Sequence, residues 1–172
     1  MLKKIIQYFS VLGVLMFINS SFAQFRVLSD LDDIEKNKTV SEKKVEFPNS
    51  LPQEKDLLPF SPSSNSQAIK FFIDSKNITF DQSIVRYVLV IKSTEGAGQT
   101  IFNGIDCNQF TRITYARLNN NIWEEVMGAQ WQPISNVGYN NYAGYLNKKV
   151  LCDGSAVNDD LREVIKRLRS DS

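Results

Sequence analysis

Chemistry in this protein has to be done without imidazole. The 172-residue chain contains no histidine. A Ser–His–Asp triad, a histidine proton shuttle and any metal site that needs His ligands are therefore excluded. Cys107 and Cys152 are the only thiols, so neither a four-cysteine zinc site nor an all-cysteine iron–sulfur site can be built within one chain. They do not form a redox CxxC pair, which removes the basis for a thioredoxin-like role. Carboxylates, hydroxyls and aromatic rings remain.

Asp106, Glu124 and Glu125 supply carboxylates that a glycosidase would need as a pair about 5 to 9.5 Å apart. No motif surrounds them, and solvent-facing or ion-paired roles explain them equally well. Ser41 and Lys44 have the bare S-x-x-K spacing, but no S-D-N or K-T-G partner accompanies them. The stretch EGAGQT from Glu95 lacks the Walker lysine and the full dinucleotide fingerprint, and reads as a β-turn. Oxygen ligands for calcium occur at Asp30–Asp33 and at Asn158–Asp160, without EF-hand spacing. The first run belongs to a polar leader and the second to a helix start. No metal and no cofactor are expected. Twenty basic residues face 19 acidic ones, a formal net charge of +1, which argues against nucleic acid as a partner.

Recognition chemistry is better represented. Trp123, Trp131, Tyr139, Tyr142 and Tyr145 cluster in sequence among many Asn residues. Rings and amides together line ligand grooves and protein interfaces. Trp123, Trp131, Tyr139 and Tyr142 are the candidate binding patch. The competing explanation is that the Trp residues pack in the core and the Tyr residues cover a sheet.

The elements that position these groups begin after a targeting segment. Residues 1–23 have the form of a secretory signal peptide: Lys3 and Lys4, an apolar stretch from Ile5 to Ile18, then Ser21 and Ala23 at the −3 and −1 positions before Gln24. The stretch is 14 residues long and contains Gln7 and Ser10. A membrane span wants roughly 20 apolar residues, so an uncleaved anchor is the weaker alternative. No membrane span is expected once the signal is removed. Cleavage leaves 149 residues, with 18 basic and 19 acidic groups and a formal charge of −1. A periplasmic or secreted location follows. In that oxidising setting an even pair of cysteines is expected to bond, Cys107 to Cys152. A reactive thiol and an intermolecular bond are the alternatives.

Residues 24–46 read as a polar, flexible leader, and residues 47–172 as a single globular domain. Pro48, Pro52, Pro59 and Pro62 make the start of the domain an irregular arm, with Leu57, Leu58 and Phe60 pinning it to the core. Ile69, Phe71 and Ile73 alternate as a strand, with a turn-like stretch from Asp74 to Asn77. Ile84–Ile91 is β-branched or aromatic at most positions and, with Arg86 the one exception, apolar on both faces, the pattern of a central strand. Phe110–Leu118, a turn at Asn119–Asn121 and a return through Trp123 form a hairpin. Trp131 and Ile134 continue the sheet, with Pro133 placing them at an edge. Tyr139, Tyr142, Ala143, Leu146 and Val150 repeat at helical spacing. A last helix follows, with Ser155 as its N-cap and an apolar stripe through Val157, Leu161, Val164, Ile165 and Leu168.

The ordered series LLPF at 57–60, FFID at 71–74, VRYVLV at 85–90, GIDC at 104–107, Tyr115–Ala116, Trp123, WQPI at 131–134, Tyr142–Leu146 and Cys152 resembles the cryptic neisserial protein 1-like family. These are exported bacterial envelope proteins without an assigned activity. The resemblance spans roughly residues 43–170. It implies a periplasmic or envelope address, and it carries Cys107 and Cys152 over as a structural bridge. It implies no catalytic residues.

The expected architecture is α+β: an antiparallel sheet with C-terminal helices packed on one face and one disulfide. A β-sandwich or small barrel with terminal helices is the alternative. The expected function is that of a non-enzymatic periplasmic or envelope domain binding an envelope protein or ligand that the sequence does not name. A His-free, carboxylate-based hydrolase of envelope saccharides and a structural envelope protein are the competing functions.

Overall fold

The β-rich middle of the chain has the alternation and β-branching of strands, and strands are what it forms. The computed structural model describes residues 45–62, 68–138 and 141–170. The expected signal segment, the Asp30–Asp33 run, the Ser41–Lys44 pair and Tyr139 lie outside the described residues. The main sheet contains β1 (Leu57–Phe60), β2 (Ile69–Asp81), β3 (Ile84–Ser93), β4 (Gly98–Asp106), β5 (Thr111–Asn119), β6 (Ile122–Glu125) and β7 (Gln132–Pro133). The strands follow one another in space as an antiparallel meander from β1 to β6, with β7 pairing beside β6 on the same side of β5. The described strands thus make one open sheet, plus a small hairpin near the C-terminus, rather than two stacked sheets.

Local chemistry explains the connections. Asn120 and Asn121 both have positive φ, at 49° and 64°, which is the two-residue turn that suits the right-handed twist of a hairpin. The arm settles into a short 3-10 turn, Glu54–Asp56, and then the edge strand β1. Pro59 is tolerated there because an edge strand has one side free of ladder bonds. The turn-like Asp74–Asn77 is an irregularity inside one long strand. The buried Asp74 carboxylate accepts from Lys76 N–H and Asn77 Nδ2 within that kink, and Ser75 Oγ donates to the Asp56 carbonyl.

After the sheet come α1 (Asn141–Tyr145), a π-helical turn (Leu146–Leu151), the hairpin strands β8 (Cys152–Asp153) and β9 (Ala156–Val157), and α2 (Leu161–Ser170). Both expected helices form, but they are shorter than the spacing suggests. The stripe through Val150 is α-helical for only five residues before it widens to π geometry. Gly144 packs flush against the preceding segment, where an added Cβ would sit 2.9 Å from the Ser135 carbonyl and collide with the Asn136 side chain. Ser155 is not a helix cap; it occupies the turn between β8 and β9. Asp160 takes that role, its carboxylate accepting from the Arg162 N–H at 2.9 Å.

The sheet has two unequal faces. The C-terminal elements cover one, placing Tyr142, Leu146, Val150, Val164 and Leu168 over Ile73, Tyr87 and Leu89. This is the main core. Cys107 and Cys152 are bonded within it, with Cα atoms 5.7 Å apart, inside the normal range for a bridge. The opposite face carries a smaller cluster, including Val88, Phe102, Ile113 and Tyr115, with only short segments against it.

Candidate functional site

The smaller face gathers the chain's recognition chemistry. Phe102 of β4 and Tyr115 of β5 lie at its centre, ring centroids 5.4 Å apart. Trp123 of β6 approaches Phe102 at 6.2 Å, and Trp131, just before β7, meets Tyr115 edge-on at 6.3 Å. Phe47 from the arm closes on Phe102 at 6.4 Å. These separations fall in the range of favourable ring contacts. Both tryptophans are only partly buried. The Trp123 indole Nε1 is withdrawn from solvent and has no hydrogen-bond partner.

A cation completes this surface. Arg86 lies on β3 opposite Gly104, its guanidinium 5.8 Å from the centre of the Tyr115 ring and 3.0 Å from an Asp81 carboxylate oxygen. Its side chain is 12 % exposed. Burial works against the charge, but the hydrogen bond that Arg86 donates to Asp81 and its interaction with Tyr115 outweigh it and hold the guanidinium above its ordinary range. Gly104 makes room for this arrangement. A Cβ there would stand 2.8 Å from Tyr115 Cε2 and 2.9 Å from its hydroxyl. Further along the face, Lys92 stands over the Phe72 ring at 5.2 Å and pairs with Glu54. Rings with two cations over them suit a ligand that combines apolar or π surface with polar acceptors.

The structure brings Trp123 and Trp131 to the same face but does not bring Tyr142 to them. Tyr142 is buried on the opposite side of the sheet, against Phe71, because α1 faces the main core. The four-residue patch is therefore divided by the sheet, and the described part of it reduces to the two tryptophans. Phe102, Tyr115 and Arg86 join them, none of the three being among the candidate patch residues. Arg86 was legible as the one charged residue in an apolar strand.

The carboxylates separate as well. Asp106 pairs in register with Thr111 at one end of β5, and Glu124 pairs with Arg117 towards the other. At about 3.3 Å per residue this is roughly 20 Å, and strand alternation puts the two on opposite faces. Asp106 accepts from the Asn108 and Gln109 amides, and Glu124 from Asn119 Nδ2. They cannot act together on one glycosidic bond. Asn158, in the oxygen-rich Asn158–Asp160 run, is buried and donates to the Val150 carbonyl. Among the described residues no group of three or more acidic or cysteine side chains is placed to hold a metal ion, and no helix is long and apolar enough to cross a membrane.

A second polar assembly, unsuspected from the sequence, lies under α1. Tyr87, Asn103 and Thr114 sit opposite one another on β3, β4 and β5. Burial, and then the neighbouring Tyr142, push the Tyr87 phenol far above its usual range. It is a proton-holding group at every physiological pH.

No curated protein and no solved structure matches the chain. The ordered strand motifs, the aromatic face and the Cys107–Cys152 bridge all fall within residues 35–169, which match the CNP1-like family, and the chain belongs to that family.

Proposed function

We propose that this chain is an exported, non-enzymatic recognition domain of the bacterial envelope, binding its partner through the aromatic face around Trp123 and Trp131. One observation carries the reading. Both tryptophans border the same incompletely covered sheet face, beside the Arg86–Tyr115 pair. Half-buried rings of this kind supply large contact area at low entropic cost. The signal-like residues 1–23 support export to the periplasm or beyond, where the disulfide can persist. The ligand class that suits the face has an apolar or planar body with acceptor groups.

The chain contains just two tryptophans, so fluorescence excited selectively at tryptophan reports on this face. Size-fractionated envelope extract is titrated into the purified domain while the emission is followed. An active fraction is expected to shift the emission, and to be retained by the wild type but not by the Trp123→Ala/Trp131→Ala variant. Equal retention by both, or no fraction that shifts the emission, refutes the binding reading. Mass measurement of the protein recovered from the periplasm tests export separately, with a chain starting at Gln24 expected.

A further inference from the structure

The polar row beneath α1 points to a bound molecule within the main core. Tyr87, Asn103 and Tyr142 are 0, 1 and 2 % exposed. Thr114 Oγ1 donates to Asn103 Oδ1 at 2.8 Å, and Asn103 Nδ2 donates to Tyr142 Oη at 3.5 Å. The second bond is long. The Tyr87 hydroxyl lies beside this pair, close enough to Asn103 for that side chain to ease its ionisation, yet no protein atom meets it in full hydrogen-bond geometry. A phenylalanine at position 87 would fill the same apolar volume.

A buried hydroxyl without a partner is costly and rare in native proteins. Internal water satisfies such groups where two to four polar atoms converge. Here the converging atoms are the Tyr87 hydroxyl, the Tyr142 hydroxyl and the Asn103 amide. None is a carboxylate, so the row offers no charge for a metal ion. We infer that one ordered water molecule is bound between Tyr87 Oη and the Asn103–Tyr142 pair, and that it ties α1 to the centre of the sheet. The water accepts a hydrogen bond from the Tyr87 hydroxyl and donates to the neighbouring oxygens. This inference is independent of the binding role assigned to the opposite face.

The test is a crystal structure of the full domain at a resolution that shows ordered waters, together with the Tyr87→Phe variant. A density peak is expected about 3 Å from Tyr87 Oη, and it should vanish in the variant. An empty site, where other internal waters are visible, overturns the inference. If crystals are not obtained, thermal melting decides. A hydroxyl bonded to water makes Tyr87→Phe melt a few degrees lower. A hydroxyl with no partner makes the variant melt at the same temperature or higher, which overturns the inference.

Discussion

Removing the Cys107–Cys152 bridge tests the energetic logic of the fold most directly. The bridge closes a loop with a sequence separation of 45. In the chain-entropy model this restricts the unfolded ensemble by about 4 kcal/mol. Both cysteines are buried in the main core, so the double variant Cys107→Ala/Cys152→Ala is preferable to a single change that strands a thiol. Domains of this size have a total stability of roughly 5 to 15 kcal/mol, and the loss is a large fraction of it. The bridge joins the end of β4 to the start of β8, so it also holds the C-terminal cap against the sheet. The assay is equilibrium urea unfolding of the oxidised wild type, the reduced wild type and the double variant. With a slope of about 2 kcal/mol per molar urea, the midpoint should fall by roughly 2 M in both altered proteins. A loss below about 1 kcal/mol would refute the reasoning, because packing of α1 and α2 would then hold the cap unaided.

Further expectations concern the aromatic face and the last helix. Gly104→Ala drives a methyl group into the Tyr115 ring, which Phe102 and Trp131 hold in place; we expect a loss of about 1–3 kcal/mol and an altered tryptophan emission, and unchanged stability would show that Tyr115 moves freely. Arg86→Met should disturb the same face and release Asp81, lowering stability without changing the far-UV circular dichroism; a full loss of helical signal would mean that Arg86 supports the main core instead. Asp160 and Glu163 have carboxyls held below their ordinary range, the first chiefly by the Arg162 backbone N–H and the second by Lys166 and then Arg167. Their contribution to stability is therefore present above the unfolded-state values and is lost as the pH falls through the depressed folded ones. Thermal melts between pH 6 and pH 2 should show this acid loss in the wild type and a shallower slope in Asp160→Asn/Glu163→Gln; parallel slopes would show that these groups do not couple to folding.

Much of the strand layout was legible because short-range chemistry dictates it. Ile84–Ile91 is apolar on both alternating faces, and it became the central strand because both faces of the sheet are covered there. The Asn pair at 120–121 tolerates positive φ, so it read correctly as a hairpin turn. Asp74–Asn77 read as a turn because its residues favour one locally, but pairing on both sides kept the strand intact as a kink. Ser155 looked like a cap because only the local pattern was visible. The β8–β9 hairpin, closed beside the disulfide, moved the helix start to Leu161.

The candidate site divides along the same line. The sequence by itself determined what chemistry is possible: no imidazole, two thiols, two tryptophans and scattered carboxylates. It also determined the period of each strand, and hence which neighbours along a strand share a face. Which face of which strand meets a given ring depends on register and on where the C-terminal helices land, and these are long-range facts. Only the tertiary structure decided that Tyr142 lies across the sheet from Trp123 and Trp131, that Asp106 and Glu124 stand apart, and that Tyr87 aligns with Asn103 and Thr114. The physical reason is that strand pairing and helix docking bring together residues tens of positions apart, through contacts that no local pattern encodes.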